Sequence, residues 1–127
     1  MIKISDSEWK IMELLWKSAP RTITQMTKVL GDAYGWDKST VITLLKRLLN
    51  KNAVYFEQGT KAKMFYPAVR QEETRSNEAK TFLEKTFSGN IGLMVSTMIH
   101  EEALSEQDIK ELEQILKQHG GEDSSKQ

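Results

Sequence analysis

The chain of 127 residues contains no cysteine, so disulfide bonds, thiolate zinc sites and a cysteine nucleophile are all excluded. No apolar run approaches the roughly 20 residues that a membrane-spanning helix needs. The first twenty residues carry six charged side chains and lack the apolar core of a signal peptide. No glycine-rich phosphate loop, HExxH motif or Ser-His-Asp order is present, which argues against an enzyme and a bound cofactor. We therefore expect a cytoplasmic, non-enzymatic protein.

Charge is balanced over the whole chain but divided between its two halves. Residues 1–69 carry eleven Lys/Arg against six Asp/Glu, giving +5, and residues 70–127 carry seven against twelve, giving −5. Such asymmetry is typical of a basic part that meets a polyanion and an acidic part with another task, although charge also clusters by chance. We expect a DNA-binding domain over 1–69 and a helical dimerisation domain over 70–127.

The stretch from Trp36 to Asn52 carries the strongest local pattern. Asp37 or Ser39 can accept hydrogen bonds from the free amides of a first helical turn. Apolar residues follow at the spacing of one helix face: Val41, Leu44, Leu45 and Leu48. The opposite face contains no carboxylate and carries Ser39, Thr40, Thr43, Lys46, Arg47 and Asn50. Such a face fits the major groove of DNA, although many helices of soluble proteins also have a polar side with lysines.

Two further helices are predicted before this stretch. The first runs from Ile4 to Ser18, begins with a capping box of Ser5 (or Asp6) and Glu8, and is ended by Pro20. Its buried stripe is expected to contain Trp9, Met12, Leu15 and Trp16, with Ile11 and Leu14 towards the edges. The second runs from Thr22 to about Ala33, with Ile23, Met26, Thr27 and Leu30 inward. Helices joined by a short turn containing glycine indicate a helix-turn-helix.

A β-hairpin is predicted directly after these helices. Runs of β-favouring residues at 53–56 and 64–66 flank a Gly-containing loop, and Pro67 ends the second strand. Three helices followed at once by a hairpin predict a winged helix, mainly α in class. Lys61 and Lys63 would then lie against phosphates or the edge of a minor groove.

The remaining chain is predicted to form helices over 70–87, over 91–99 and from Ser105 onwards, with Gly120-Gly121 ending the last and 122–127 left as a frayed polar tail. Roughly 50 residues of amphipathic helix bury too little surface to fold alone, so pairing with a second copy is expected. Packing of this arm back onto the winged helix is the alternative. The dimerisation residues would be Phe82, Phe87, Ile91, Met94, Val95, Met98, Ile109, Leu112, Ile115 and Leu116.

Several segments together resemble the penicillinase-repressor family (the BlaI/MecI/CopY group): ISDSEWKIMELLW, WDKSTVITLLKRLLNKNAV, FYPAV and the last two predicted helices. The resemblance implies a dimeric winged-helix repressor that binds a palindromic operator of double-stranded DNA and controls a β-lactam-resistance-type or stress-response operon. It also implies a set of DNA-binding residues: Lys38, Ser39, Thr40, Thr43, Lys46, Arg47, Lys61 and Lys63. Lys38 and Ser39 depart from the proline and lysine that the family often has there.

The resemblance further implies how repression ends. In the β-lactam branch, a membrane sensor protease cuts the helix that matches 91–99, and the scissile position would fall at Thr97-Met98, although the family's Asn-Phe pair is absent there. Copper-responsive members end in closely spaced cysteines, which this chain lacks. The alternatives are a metal- or ligand-responsive regulator without thiolate ligands, using His100 and His119, and an interaction module that has lost DNA binding. We expect no metal site, because exposed histidines are usually only solvated.

Overall fold

A computed structural model of the chain describes the backbone of residues 2–126 and the side chains of residues 2–119. Helices dominate, and the two strands pair in one antiparallel hairpin. In chain order the elements are α1 (Asp6–Lys17), α2 (Ile23–Tyr34), α3 (Lys38–Asn50), β1 (Val54–Gln58), β2 (Lys63–Pro67), α4 (Gln71–Phe87), α5 (Ile91–His100) and α6 (Glu106–Lys126).

Side-chain caps explain where the first three helices begin. Ser5 and Glu8 form the predicted capping box of α1, and Thr22 with Gln25 forms a second one at α2. Asp37 caps α3 by accepting a hydrogen bond from the Thr40 amide at 2.9 Å. The second capping box was missed in the sequence, although its S/T-x-x-E/Q spacing was visible there.

The core lies among the first three helices and the hairpin. From α1 it takes Ile11, Met12 and Leu15, and from α3 it takes all four predicted residues; the other buried apolar residues are Ile4, Met26, Leu30, Ala53, Val54 and Phe65. The predicted stripe of α1 is confirmed at Met12 and Leu15, but Ile11, predicted towards its edge, is more deeply buried than the two tryptophans. Ile11 is fully buried, whereas Trp9 and Trp16 are half-buried and pack against the core. Their two rings contact each other edge to face with centroids 5.4 Å apart. The large indole rings cover the core rather than fill it.

The hairpin is fixed to the helical part through Phe65, in the middle of β2, and through Val69, two residues after that strand. Phe65 pairs with Phe56 across the hairpin and also forms a β-bridge with Arg21, whose amide and carbonyl bond to Phe65 at 3.2 and 2.9 Å. The indole nitrogen of Trp16 donates to the carbonyl oxygen of Val69 at 2.9 Å. These long-range bonds hold the hairpin beside α1 and α2, as the predicted winged helix requires.

The chain divides into two compact units, Met1–Lys80 and Thr81–Gln127. The division falls inside α4, so the first turns of that helix, with buried Thr74, belong to the first unit. The segment 70–127 that the sequence indicated as an arm therefore begins within the first unit.

The second unit contains the end of α4, all of α5 and all of α6. The Ser105 amide donates to the Asp108 carboxylate at 2.9 Å, and the Asp108 amide donates to the Ser105 hydroxyl at 3.1 Å, which confirms the predicted start of α6. The predicted helix end at Gly120-Gly121 differs from the structure, because α6 runs on to Lys126. Glycine lowers helix propensity by about 1 kcal/mol but keeps its amide donor, so a helix can continue through it. Of the predicted tail, Gln127 lies outside the described residues.

Candidate nucleic-acid interface

Helix α3 has one face in the core and the other in solvent. Val41, Leu44, Leu45 and Leu48 are at most 5% exposed. The predicted polar face is opposite to them: Ser39, Thr43, Lys46, Arg47 and Asn50 are exposed, as is Lys38, and Thr40 is half-buried. The structure therefore brings the predicted α3 residues together on one accessible surface.

The first turn of α3 carries a chain of hydrogen bonds centred on Asp37. Its carboxylate accepts from the Thr40 amide and the Ser39 hydroxyl, both at 2.9 Å. These donors, the Thr40 amide first, hold the pKa of Asp37 below its usual value. One turn later, the Thr43 hydroxyl donates to the carbonyl oxygen of Ser39 at 2.9 Å. The hydroxyl hydrogens of Ser39 and Thr43 are thus used inside the protein, and their oxygen lone pairs remain for an external donor.

The hairpin presents its two predicted lysines differently. Lys61 is exposed in the turn between the strands. The ammonium of Lys63 lies 4.5 Å from the centroid of the Phe56 ring, so it is held over the strand by a cation–π contact. On the other face, Tyr55 and Tyr66 stack with centroids 5.1 Å apart. Lys61 is therefore the more available cation of the hairpin.

An ion pair with one buried partner lies at the end of α3. Glu8 is 1% exposed, and its carboxylate accepts hydrogen bonds from the Ser5 amide and from the ammonium of Lys51. The sequence identified Glu8 as part of a cap but gave no signal for its partner, which lies 43 residues away.

Seven of the ten predicted dimerisation residues line one apolar groove of the second unit. A groove of about 830 Å³ between α5 and α6 is lined by Ile91, Met94, Val95, Met98, Leu112, Ile115 and Leu116, among others. Ile109 is half-buried. Phe82 and Phe87 contact each other on α4 with ring centroids 5.9 Å apart.

The residues predicted for cleavage and for metal binding lie on regular helix. Thr97 and Met98 are inside α5, where the Thr97 hydroxyl donates to the carbonyl oxygen of Leu93 at 2.8 Å. His100 is at the end of the same helix, with its Nδ1 2.8 Å from the carbonyl oxygen of Ser96. In the described part of the chain, no group of three or more His, Asp or Glu side chains is arranged to hold a metal ion. No helix there has the length and apolar character that crossing a membrane requires.

Comparison with known proteins relates the whole chain to one family. The profile of the penicillinase repressor family matches residues 4–118. The penicillinase repressor of Bacillus licheniformis is 27% identical over 117 residues, which cover 92% of this chain and 91% of that protein. The methicillin resistance regulatory protein MecI of Staphylococcus aureus (strain N315) is 25% identical over 114 residues, covering 90% and 93%.

Solved structures are similar in fold. The solution structure of the DNA-binding domain of the repressor BlaI is 26% identical with a TM-score of 0.52, covering 57% of this chain and 93% of that domain. The B. licheniformis BlaI monomeric form in complex with the blaP half-operator is 25% identical with a TM-score of 0.51, covering 56% and 87%.

The apo crystal structure of MarR from E. coli, at 16% identity and a TM-score of 0.53, shows the fold alone and covers 91% of this chain and 78% of that one. These neighbours confirm the predicted winged-helix fold. The chain belongs to the penicillinase repressor family, whose members are DNA-binding transcriptional repressors and not enzymes.

Proposed function

We propose that this protein is a homodimeric repressor that binds a palindromic DNA operator through α3 and the hairpin of each copy. The observation that carries the proposal is the division of α3 into a fully buried face and an exposed face of hydroxyls and cations without a carboxylate. Hydroxyls near the start of the helix suit base edges, and Lys46 and Arg47 near its end suit phosphates. The solved complex of B. licheniformis BlaI with the blaP half-operator supports operator DNA as the partner of this chain.

Dimerisation is proposed from the apolar surface of the second unit. Ile91, Ile115 and Leu116 are more than half exposed, and a soluble chain rarely leaves so large an apolar surface uncovered. A second copy can cover it through a two-fold interface in which the same surface is used twice. Two copies would present two α3 helices to successive turns of an inverted repeat, which explains why the operator should be palindromic.

We propose further that repression is relieved by a cut at Thr97-Met98. Met98 lines the apolar groove that would join the two copies, so cleavage there would remove the second half-site contact and most of the avidity. A membrane sensor protease is the expected agent, and a β-lactam-resistance-type or stress-response operon the expected target. Because Thr97 and Met98 lie in helix, α5 must unwind locally before a protease can hold this segment in extended form.

Binding to selected DNA tests the proposal. We would select duplexes from a library of randomised inverted repeats and measure their affinity by fluorescence anisotropy over a range of salt concentrations. Arg47→Ala is expected to weaken binding about tenfold and to reduce the salt slope by about one, because one phosphate contact is lost.

Lys110→Ala is the matched control, since it removes one exposed positive charge from α6 instead of α3. It should leave affinity and salt slope unchanged. Equal losses in the two variants would mean that net charge, and not the α3 surface, attracts DNA. Failure of the wild-type protein to enrich any duplex would reject the proposed function itself.

A further inference from the structure

Glu8 joins the start of α1 to the end of α3. Its carboxylate accepts from the Ser5 amide at 2.8 Å and from the ammonium of Lys51, which also donates to the carbonyl oxygen of Lys3 at 2.8 Å. Burial raises the pKa of Glu8, but the hydrogen bonds from Lys51 and Ser5 outweigh it and hold the pKa below its usual value. The Glu8 carboxylate is therefore ionised at neutral pH.

Lys51 stands where α3 ends. Its amide donates to the carbonyl oxygen of Arg47 at 3.0 Å, and the next residue, Asn52, has a φ of 62° that turns the chain into β1. Arg47 and Lys46 lie about one helical turn before this point. At the start of α3, Asp37 accepts local hydrogen bonds from Ser39 and Thr40. The end of α3 is instead held to α1 by the Glu8–Lys51 pair.

The surroundings of Lys51 separate it from the cations of the α3 surface. Two of the three ammonium donors are used by Glu8 and by the Lys3 carbonyl oxygen. The sequence counts Lys51 among the positive charges of the basic half, yet its charge is already compensated inside the protein. Its contribution to DNA binding should therefore come through the position of α3 and not through a phosphate contact.

We propose that Glu8 and Lys51 are positioning residues that fix the basic end of α3 and thereby set the preference for operator over unrelated DNA. This rests on the proposed function. Non-specific binding needs only positive charge near phosphates, whereas operator binding needs base contacts and phosphate contacts to be met together. A small displacement of the basic end of α3 relative to α1 should therefore weaken operator binding far more than non-specific binding.

The double variant Glu8→Gln/Lys51→Met is the main test. Removing one partner would leave a buried charge without compensation, whereas removing both leaves none and is often tolerated. We expect the double variant to fold, as checked by circular dichroism, and to bind the selected inverted repeat about tenfold more weakly, a change of about 1.4 kcal/mol. Binding to a scrambled duplex and the salt slope should be unchanged. Lys51→Arg keeps the charges and should keep most of the preference.

Asp6→Asn is the matched control, because it removes an exposed carboxylate from the same first turn of α1. An unchanged ratio of operator to scrambled affinity in the double variant would overturn the proposal. The proposal would also be overturned if affinity fell equally for both duplexes and the salt slope fell by about one. That result would mean that Lys51 contacts a phosphate.

If the double variant does not fold, the same ratio of operator to scrambled affinity is measured for Glu8→Asp. It keeps both charges but shortens the reach of the carboxylate, so the same loss of preference is expected and an unchanged ratio overturns the proposal. If the wild-type protein showed no preference for any inverted repeat over scrambled DNA, the proposed function itself would be rejected. Failure of the proposed function is therefore distinguished from failure of the role proposed for Glu8 and Lys51.

Discussion

The two compact units place their apolar side chains in opposite ways. In Met1–Lys80 they converge, and Ile11, Met12, Met26, Val41 and Leu48 have no exposed surface. In Thr81–Gln127 none of the described side chains is buried, and six large apolar ones are at least 46% exposed: Phe82, Ile91, Leu93, Ile99, Ile115 and Leu116. The first unit builds a core from its own residues, whereas the apolar residues of the second unit stay accessible to the proposed second copy.

Charge follows the same division. Residues 1–80 carry fourteen Lys/Arg against nine Asp/Glu, giving +5, and residues 81–127 carry four against nine, giving −5. The asymmetry seen in the sequence thus survives the later boundary that the structure places inside α4. The first unit is basic and has a buried core, which suits the proposed binding of DNA. The second unit is acidic and has an exposed apolar surface, which suits the proposed dimerisation.

Leu116→Asp should have the largest effect, because it puts a charge on the apolar surface where two copies are proposed to meet. The side chain is 61% exposed, so the fold of one copy should tolerate the change. We expect monomers by sedimentation and a loss of about 100-fold or more in affinity for the full inverted repeat. Gln114→Asp adds the same charge to an exposed position of α6 and should remain dimeric. A dimeric Leu116→Asp variant would contradict the assignment of this surface.

Leu48→Ala should act on folding instead of association. Leu48 has no exposed surface, and truncating such a residue costs about 2–5 kcal/mol of the free energy of unfolding. Urea denaturation should show the lower midpoint, while sedimentation below the transition should still report a dimer. Dissociation of the folded Leu48→Ala variant would mean that the two units are not independent in the way their burial indicates.

Local patterns account for what the sequence could predict. The stripe of α3 and the caps at Ser5 and Ser105 depend on residues three or four positions apart, and periodicity and capping chemistry describe such neighbours well. The polar face of α3 follows directly, because a helix with one buried stripe must expose the other side. Most of the candidate interface was therefore visible before the structure.

Contacts between distant residues could not be predicted in this way. In the sequence, Glu8 has only the spacing of an ordinary capping residue. It forms an ion pair because the fold brings Lys51, at the end of α3, beside its buried carboxylate. The bridge between Arg21 and Phe65 likewise joins segments 44 positions apart, and the cation–π contact of Lys63 depends on the register of the hairpin. Each of these contacts depends on tertiary packing, so local sequence patterns do not predict it.

Substitution of Thr43 should have the smallest effect on affinity and the most specific one. It should change which DNA sequence is preferred without altering the core or the dimer. Because its hydroxyl hydrogen is held by the Ser39 carbonyl oxygen, Thr43 offers DNA an acceptor and a methyl group, and we expect the acceptor to meet a base amino group. Thr43→Val keeps the methyl and should lose preference at one position per half-site, worth about 1 kcal/mol, whereas Thr43→Ser should keep it.

Affinities for half-sites substituted one base pair at a time distinguish the possibilities for Thr43. Loss of preference only in Thr43→Ser would assign the contact to a thymine methyl, and unchanged preference in both variants would mean that α3 docks with another face. Either result leaves the division between the two units in place, because Thr43 is exposed in the first unit and far in sequence from the apolar surface of the second. Sedimentation of both variants as dimers is therefore the internal check that base reading and association are separate properties.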